Sequence, residues 1–448
     1  MSTGDTDREV RKGGRQEHGK TAQQGGSCCG PSCCCGGPSE ASVAVTVGHH
    51  RAESEDSPRG VNRGLTRMDP IYLDHNATTQ PDPAVVAEML PCLQTVYGNP
   101  SSLHRFGQEA RRVLDVARQR VASLIRAMPE EIIFTSGGTE ANNHALWGAA
   151  EVLGRPGSHI VTTAIEHEAV LNPCRRLAKA GYRVTYVAPD RDGKIVPAEV
   201  AAAMTADTVM VSVMLANNEV GTIEPLREIA EIAHACGAWV HTDAVQAVGK
   251  IPVDVNDLHV DFLSLSGHKL HGPKGIGALF VRQGLDIGAF ILGGPHERQR
   301  RAGTENVPAI AGFGKACELA GQRLVDTQVR LRGLSGRLER GILESVPQTR
   351  THGHPELRLP NTVSIDFAGV NAEHLAMNLD IQGIAVSTAS ACSSSSKTPS
   401  HVLLAMGYTE GEATSTIRFS LGPSNTEEQI DRTVDVVVRT VQRLRGGR

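Results

Sequence analysis

From Ile71 onward, short runs of Val, Ile and Leu alternate with longer segments whose apolar residues recur at helical spacing. Strands are predicted at Glu131–Thr135, His159–Thr163, Val184–Val187, Val209–Leu215 and Ala238–His241, with two more around Phe262 and at Ala278–Val281. Helices are predicted at Pro83–Tyr97, Phe106–Ile125, Glu140–Leu153 and Glu168–Ala180. Gly98-Asn99-Pro100-Ser101-Ser102 breaks the first pair, and His104 reads as a helix-start residue. Continuous apolar strands alternating with helices imply an α/β fold with a mostly parallel sheet covered on both faces. After Gly293-Gly294-Pro295 the pattern changes. A long helix from Pro308 to Leu343 leads into strands at Thr362–Ile365, Ile384–Val386 and Thr416–Phe419, with helices from Ala372, at Val402–Met406 and at Glu427–Leu444. That is the pattern of a smaller α+β domain.

Residues 1–67 carry few large apolar side chains, and such a stretch cannot bury enough surface to offset its ordering entropy. The expected organisation is a disordered Cys-rich extension (1–67), a large domain (68–305) and a small C-terminal domain (306–448), with residues near 71–80 packing against the small one. A net charge of -4 gives no electrostatic footprint for nucleic acid. No apolar run approaches the roughly 18 residues that span a bilayer. The first thirty residues lack an apolar signal core and contain Asp5, Asp7, Glu9 and Glu17, which transit peptides avoid. A cytoplasmic protein is expected.

The ten cysteines form two populations. Cys28, Cys29, Cys33, Cys34 and Cys35 crowd the extension, where five soft thiols could grip a thiophilic cation. An incidental low-complexity tract explains them equally well. Cys174, Cys236 and Cys317 fall in helix-like apolar patterns and read as small core residues.

Candidate chemistry gathers at strand ends. One apolar run ends in Ser266-Gly267-His268-Lys269, and the run before it ends in Asp243. Alone, Lys269 reads as a solvated strand-end lysine and Asp243 as a loop cap. Together they suit pyridoxal phosphate, which needs an amine for its Schiff base and an anion at its pyridine nitrogen. Ser136-Gly137-Gly138-Thr139, between a strand and a helix start, is a candidate phosphate cradle. His167 follows another strand and could stack on the ring or be an ordinary loop His. Asn218 could bond the cofactor's phenolic oxygen or a substrate carboxylate, and Gln246 likewise. Arg418 is a candidate carboxylate clamp. Cys392, inside Ser387–Pro399, lies among small polar residues where core packing does not explain it, so it is a candidate nucleophile.

These stretches resemble the NifS/IscS-type cysteine desulfurases, class V of the fold-type I pyridoxal-phosphate (PLP) enzymes. The resemblance rests on Tyr72-Leu73-Asp74 with Ala77-Thr78-Thr79, Gly98–Ser102 with His104–Gly107, Phe134–Glu140, Asn217–Gly221, Ser266–Lys269, Arg301–Asn306 and Ile417–Gly422. It implies a seven-stranded, mostly parallel sheet sandwiched by helices, plus the smaller domain. It further implies that Lys269 carries the cofactor, Asp243 pairs with the pyridine nitrogen and His167 stacks and moves protons. Gly138, Thr139, Ser266 and His268 would hold the phosphate, and Thr304 would reach the neighbouring subunit's phosphate in a homodimer. Asn218 and Gln246 would contact the ring oxygen, Arg418 would bind the carboxylate of L-cysteine and Cys392 would accept sulfur. An iron–sulfur scaffold or another acceptor protein is the implied partner, and a 2Fe–2S cluster shared transiently through Cys392 is a further implication. Two rival readings stay open on sequence alone. One is a selenocysteine lyase or class V aminotransferase on the same scaffold. The other is a thiophilic-metal-binding protein acting through the N-terminal cysteines.

Overall fold

The computed structural model describes residues 69–388 and 399–446. The N-terminal cysteines 28, 29, 33, 34 and 35, and Cys392, therefore lie outside the described residues. The described chain runs β1 (Ile71–Tyr72), α1 (Pro83–Gln94), α2 (Arg105–Leu124), β2 (Ile132–Thr135), α3 (Gly138–Leu153), β3 (His159–Thr163), α4 (Glu168–Lys179), β4 (Arg183–Val187), α5 (Pro197–Ala203), β5 (Thr208–Ser212), α6 (Leu226–Ala235), β6 (Trp239–Asp243), β7 (Phe262–Ser266) and β8 (Gly277–Val281). It continues through α7 (Val307–Ser345), β9 (Thr349–His352), β10 (Thr362–Phe367), α8 (Ala372–Ile381), β11 (Ile384–Ala385), β12 (Ser387–Thr388), α9 (His401–Ala405), α10 (Glu410–Thr414), β13 (Thr416–Ser420) and α11 (Glu427–Gly446).

Seven strands form the main sheet in the order β2-β8-β7-β6-β5-β3-β4. Strands β7, β6, β5, β3 and β4 are parallel, and β8 runs antiparallel between β7 and β2. Strands β2, β3, β5, β6 and β7 therefore share one direction, and all their C-terminal ends open on one edge. Strands β2, β3, β7 and β8 are buried along their whole length, as a sheet covered on both faces requires. Edge strand β4 instead exposes Arg183 and Tyr186.

A second, antiparallel sheet has the order β12-β13-β10-β9, and β1 pairs with β11 in a small parallel ladder. The 39-residue α7, about 58 Å long, joins the two cores. Its first half gives Ile310, Phe313 and Cys317 to the core under the main sheet. Its second half gives Leu331, Leu338 and Ile342 to the other core, where Ile71 and Leu73 also pack.

Several boundaries move for local reasons. Helix α3 starts at Gly138, two residues early, because Gly137 (φ +156°) makes the N-cap. Strand β5 ends at Ser212, although Val213 and Leu215 still donate to the carbonyls of His241 and Asp243. Elements α5, α6, β9, β12 and α10 were not anticipated from the pattern. Cys236 is a correction: it is exposed, not a core residue. It is the C-cap of α6, whose buried stripe is Leu226, Ile229, Ala230 and Ala233. His104 does cap α2, its Nδ1 accepting from the Gly107 N–H.

The loop after β8 carries unusual strain. Glu297, Arg298 and Gln299 all have φ between +44° and +66°, a region costly for residues with a Cβ. A buried ion pair holds them there. Both Glu297 oxygens accept from Arg118 of α2, at 2.6 and 2.7 Å, and the Phe134 N–H of β2 adds a third bond. Arg118→Met should strand a buried carboxylate and lower stability in urea unfolding by about 3–5 kcal/mol. Adding Glu297→Gln to that variant should restore part of the loss, since the uncompensated charge goes with it.

Candidate active site

Five strand ends deliver the predicted residues to one edge of the main sheet. Strands β6 and β7 are in parallel register, Asp243 opposite Ser264, so the chain leaves β7 beside Asp243 and turns through Gly267–Lys269. The carboxylate of Asp243 is buried and held by two donors. Asn142 Nδ2 of α3 reaches Oδ2 at 2.6 Å, and the Val245 N–H reaches Oδ1 at 3.0 Å. This fixes the face it presents. An Asn on an otherwise Ala-rich buried helix face was the available signal for Asn142, and sequence reading passed over it.

His167 caps α4. Its Nδ1 accepts from the Ala169 N–H at 3.1 Å, so the neutral ring carries its proton on Nε2. Burial lowers its pKa, Asp243 raises it and Lys269 lowers it. The imidazole thus lies within electrostatic range of both the carboxylate and the amine.

Lys269 donates to the carbonyls of Asn76 and of Ala77, the latter at 2.8 Å. Asn76, which sequence reading overlooked, is the hub of this region. Its carbonyl also accepts from Gln246 Nε2 at 3.0 Å. Its side chain bonds the Asn218 carbonyl, Thr362 and Asn361. The other end of Gln246 accepts from Lys250 at 2.6 Å. Lys250 is buried, and burial with the charges of Lys269 and Arg418 pushes its pKa well below the lysine range.

Ser136–Thr139, Ser266, His268 and Lys274 line one cavity of about 410 Å³ beside the N-terminus of α3. Gly137 caps that helix without a side-chain bond, leaving first-turn N–H groups for an anion. A Cβ on Gly138 would stand 2.7 Å from the Val245 side chain, so the close approach needs glycine. His268 Nδ1 lies 3.1 Å from the Thr78 hydroxyl. Burial and three lysines push its pKa down to about 4. A glycine-floored cavity with Lys274 on its wall and open helix N–H groups fits a phosphate group, and a buried carboxylate held by two donors fits a pyridinium. The residues present fit pyridoxal phosphate.

Arg418 lies fully buried in β13, opposite Ser387 of β12. Its guanidinium donates to Asp74 at 2.8 Å and to the Asn218 carbonyl at 3.1 Å. Its Nε has no acceptor among the described residues. The Asn218 amide makes no side-chain bond there either. Thr304 is exposed in the loop before α7 and lines neither the cavity at Ser136–Thr139 nor the one at Lys269. The chain re-enters at Pro399 and is pinned at once: Ser400 bonds Glu219, and His401 Nε2 donates to the Glu166 carbonyl at 3.0 Å. Among the described residues no three metal-ligating side chains converge, and no helix is long and apolar enough to cross a membrane.

Residues 71–433 match the family described as aminotransferase class-V. A cysteine desulfurase IscS of Clostridium botulinum (strain Hall) is 44% identical over 377 residues, covering 84% of this chain and 95% of the relative. Cysteine desulfurase 2 of Trichormus variabilis is 48% identical over 379 residues, covering 84% and 94%. Among solved structures, a NifS-like protein superposes with a TM-score of 0.78 at 38% identity, covering 83% of this chain and 98% of that one. SspA in complex with cysteine superposes at 0.71 with 34% identity, covering 80% and 100%.

Two buried glutamates stand behind the site. Glu166 and Glu224 each leave one carboxyl oxygen without a partner, and burial pushes both pKa values up to about 8. The folded chain holds protons that an unfolded chain releases near 4.5. Stability from this source is full below that value and is lost as pH rises through about 8. The contribution of these two groups to the thermal midpoint should therefore fall between pH 5 and 9, against an opposite slope at the acid end from His75, His241, His268 and His352, whose pKa values burial lowers. Glu224→Gln should flatten that descent. An unchanged slope would show that Glu224 does not carry its proton there.

Proposed function

The chain belongs to the aminotransferase class-V family, and from that premise we propose that it is a PLP-dependent cysteine desulfurase, converting L-cysteine to L-alanine and a persulfide on Cys392. The observation that carries the reading is convergence: His167, Asp243 and Lys269 end or follow parallel strands whose ends open on one sheet edge.

Bound pyridoxal phosphate would supply an electron sink for charge developing at the substrate α-carbon. Lys269 would hold its carbonyl carbon, and Gly138, Thr139, Ser266 and His268 its phosphate. Asp243, oriented by Asn142, would face the pyridine nitrogen and His167 the ring. The Nε2 proton of His167 makes it a donor toward the substrate, while Asn218 and Gln246 would meet the ring oxygen. Arg418 would take the substrate carboxylate. Its unpartnered Nε leaves a donor for that task while Asp74 fixes the fork.

Cys392 follows Thr388 by four residues, and Thr388 pairs with Ile417 beside Arg418. Four residues reach at most roughly 14 Å. That reach suits a thiolate that meets substrate bound at Arg418. In the overall step the Cys392 sulfur bonds the substrate sulfur, the C–S bond breaks, and carbon keeps the electron pair and takes a proton. L-cysteine and a thiol become L-alanine and a persulfide, and no external oxidant is needed.

Further parts of the proposal rest on the relatives and on composition. The persulfide passes to an iron–sulfur scaffold or another acceptor protein, and Cys392 shares a 2Fe–2S cluster transiently with such a scaffold. The N-terminal Cys28, Cys29, Cys33, Cys34 and Cys35 hold a thiophilic metal or relay sulfur. The enzyme is a homodimer in which Thr304 serves the partner's phosphate; its exposure supports that role. Residues 68–305 form the cofactor domain and 306–448 the small domain, which residues near 71–80 join; Ile71 and Leu73 in the second core support this. We place the protein in the cytoplasm, where free thiols such as Cys92, Cys174, Cys236 and Cys317 persist.

Protein loaded with pyridoxal phosphate and given L-cysteine should form alanine and sulfide. Cys392→Ala should keep the cofactor's visible band yet lose at least about a hundredfold in alanine formation. Unimpaired turnover by that variant would instead favour an aminotransferase. Sedimentation should give a dimer, and Thr304→Ala should weaken cofactor retention about tenfold, the value of one charged hydrogen bond. A monomer that keeps its cofactor equally well without Thr304 would end the shared-site part.

A further inference from the structure

Behind Lys269, on the side of α7, lies a larger cavity of about 710 Å³. One wall is apolar, built from Leu270, Ala316, Leu319 and Leu331. The other is cationic. Lys250, Lys269, Lys274 and Arg323 line it, and its one carboxylate, Asp82, is taken by Arg323 at 2.8 Å. Lys250 and Lys274 make no ion pair among the described residues. Lys250 is more than nine-tenths buried, and its acceptors are the neutral oxygens of Gln246 and Asn76.

His75 lines the same cavity and is 4% exposed. Neither of its ring nitrogens has a partner among the described residues. A buried polar group left unsatisfied costs stability, and the one N–H of the neutral His75 ring, beside the amine of Lys250, points to a missing acceptor. His271 stands 5.7 Å from His75, its Nδ1 bonded to the Gln80 carbonyl. Burial and Lys250 lower the pKa of both rings.

We propose that this cavity is a second binding site, for a small monocarboxylate with an apolar body, its carboxylate between Lys250 and His75 and its body along α7. A negative charge there offsets the repulsion among Lys250, Lys269 and Arg418. A zwitterionic amino acid is the wrong ligand, because its ammonium would join a cationic wall. The site goes beyond the desulfurase reaction and does not depend on it.

The test is calorimetric titration of the PLP-loaded protein with hexanoate. Acetate has the charge without the body, and hexanamide the body without the charge; both should bind at least about tenfold more weakly. Lys250→Met should weaken hexanoate by about tenfold or more. Ala320→Phe, which fills the α7 wall, should abolish binding while the cofactor's visible band stays. Saturating L-alanine should leave hexanoate binding unchanged. Hexanoate that fails to bind, that binds both variants as well as the parent, or that L-alanine displaces would overturn the proposal. Heat of binding reads the cavity without turnover, so a failed desulfurase assay would not bear on it.

Discussion

Shared strand direction is the constraint on which the rest depends. Parallel pairing of β6 with β7 sends both strands out of the same edge of the sheet. A carboxylate ending one and an amine following the other are then brought to the same edge. The antiparallel insertion of β8 returns β2 to the common direction and brings its glycine turn to that edge as well. The ends of β3 and β5 complete it with His167 and Asn218. No single motif makes the site; five chain segments do, through one topological rule.

The polar groups at that edge would be costly if each stood alone. They are affordable because they share partners. Asn76 joins Lys269, Gln246, Asn361 and Thr362, and its neighbour Asp74 holds Arg418. Both belong to the segment after β1, whose apolar residues pack in the core of the second sheet. The amine is therefore oriented by a piece of chain anchored elsewhere. Movement between the two cores would reach Lys269 and Arg418 together.

Much of this was legible in the sequence, for a physical reason. Strands buried on both faces are rich in apolar residues, as in Ile132-Ile133-Phe134 of β2 and Ala278-Leu279-Phe280-Val281 of β8, so such strands read clearly. Short strands such as β9 (Thr349–His352), with only one residue fully buried, have no such signature. The residues that end strands were readable because glycine, serine, histidine and lysine after an apolar run stand out. The residues that support them were not. Asn142 acts on Asp243 from 101 positions away, Asn76 on Lys269 from 193 and Asp74 on Arg418 from 344. Pattern reading is local, whereas a buried polar network is set by which strands neighbour each other. Cys236 failed for a related reason: helical spacing says which face is apolar, but not that the helix ends one residue earlier.

The same distinction bears on the two lysines. Lys269 follows a buried strand, and its context invites a catalytic reading. Lys250 sits in a turn after β6 and reads as a solvated cation until burial is known. In the fold it is the more deeply enclosed of the two, and among the described residues Gln246 and Asn76 are its only acceptors. A buried ammonium without a carboxylate is costly. The lowered pKa of Lys250 expresses that cost, and cofactor charge on one side or an anion on the other would relieve it. The cavity proposed for the cofactor phosphate, at His268 and Thr139, shares only Thr78 and Lys274 with the one that Lys250 lines. An anion on the α7 side is thus the nearer remedy for the charge of Lys250.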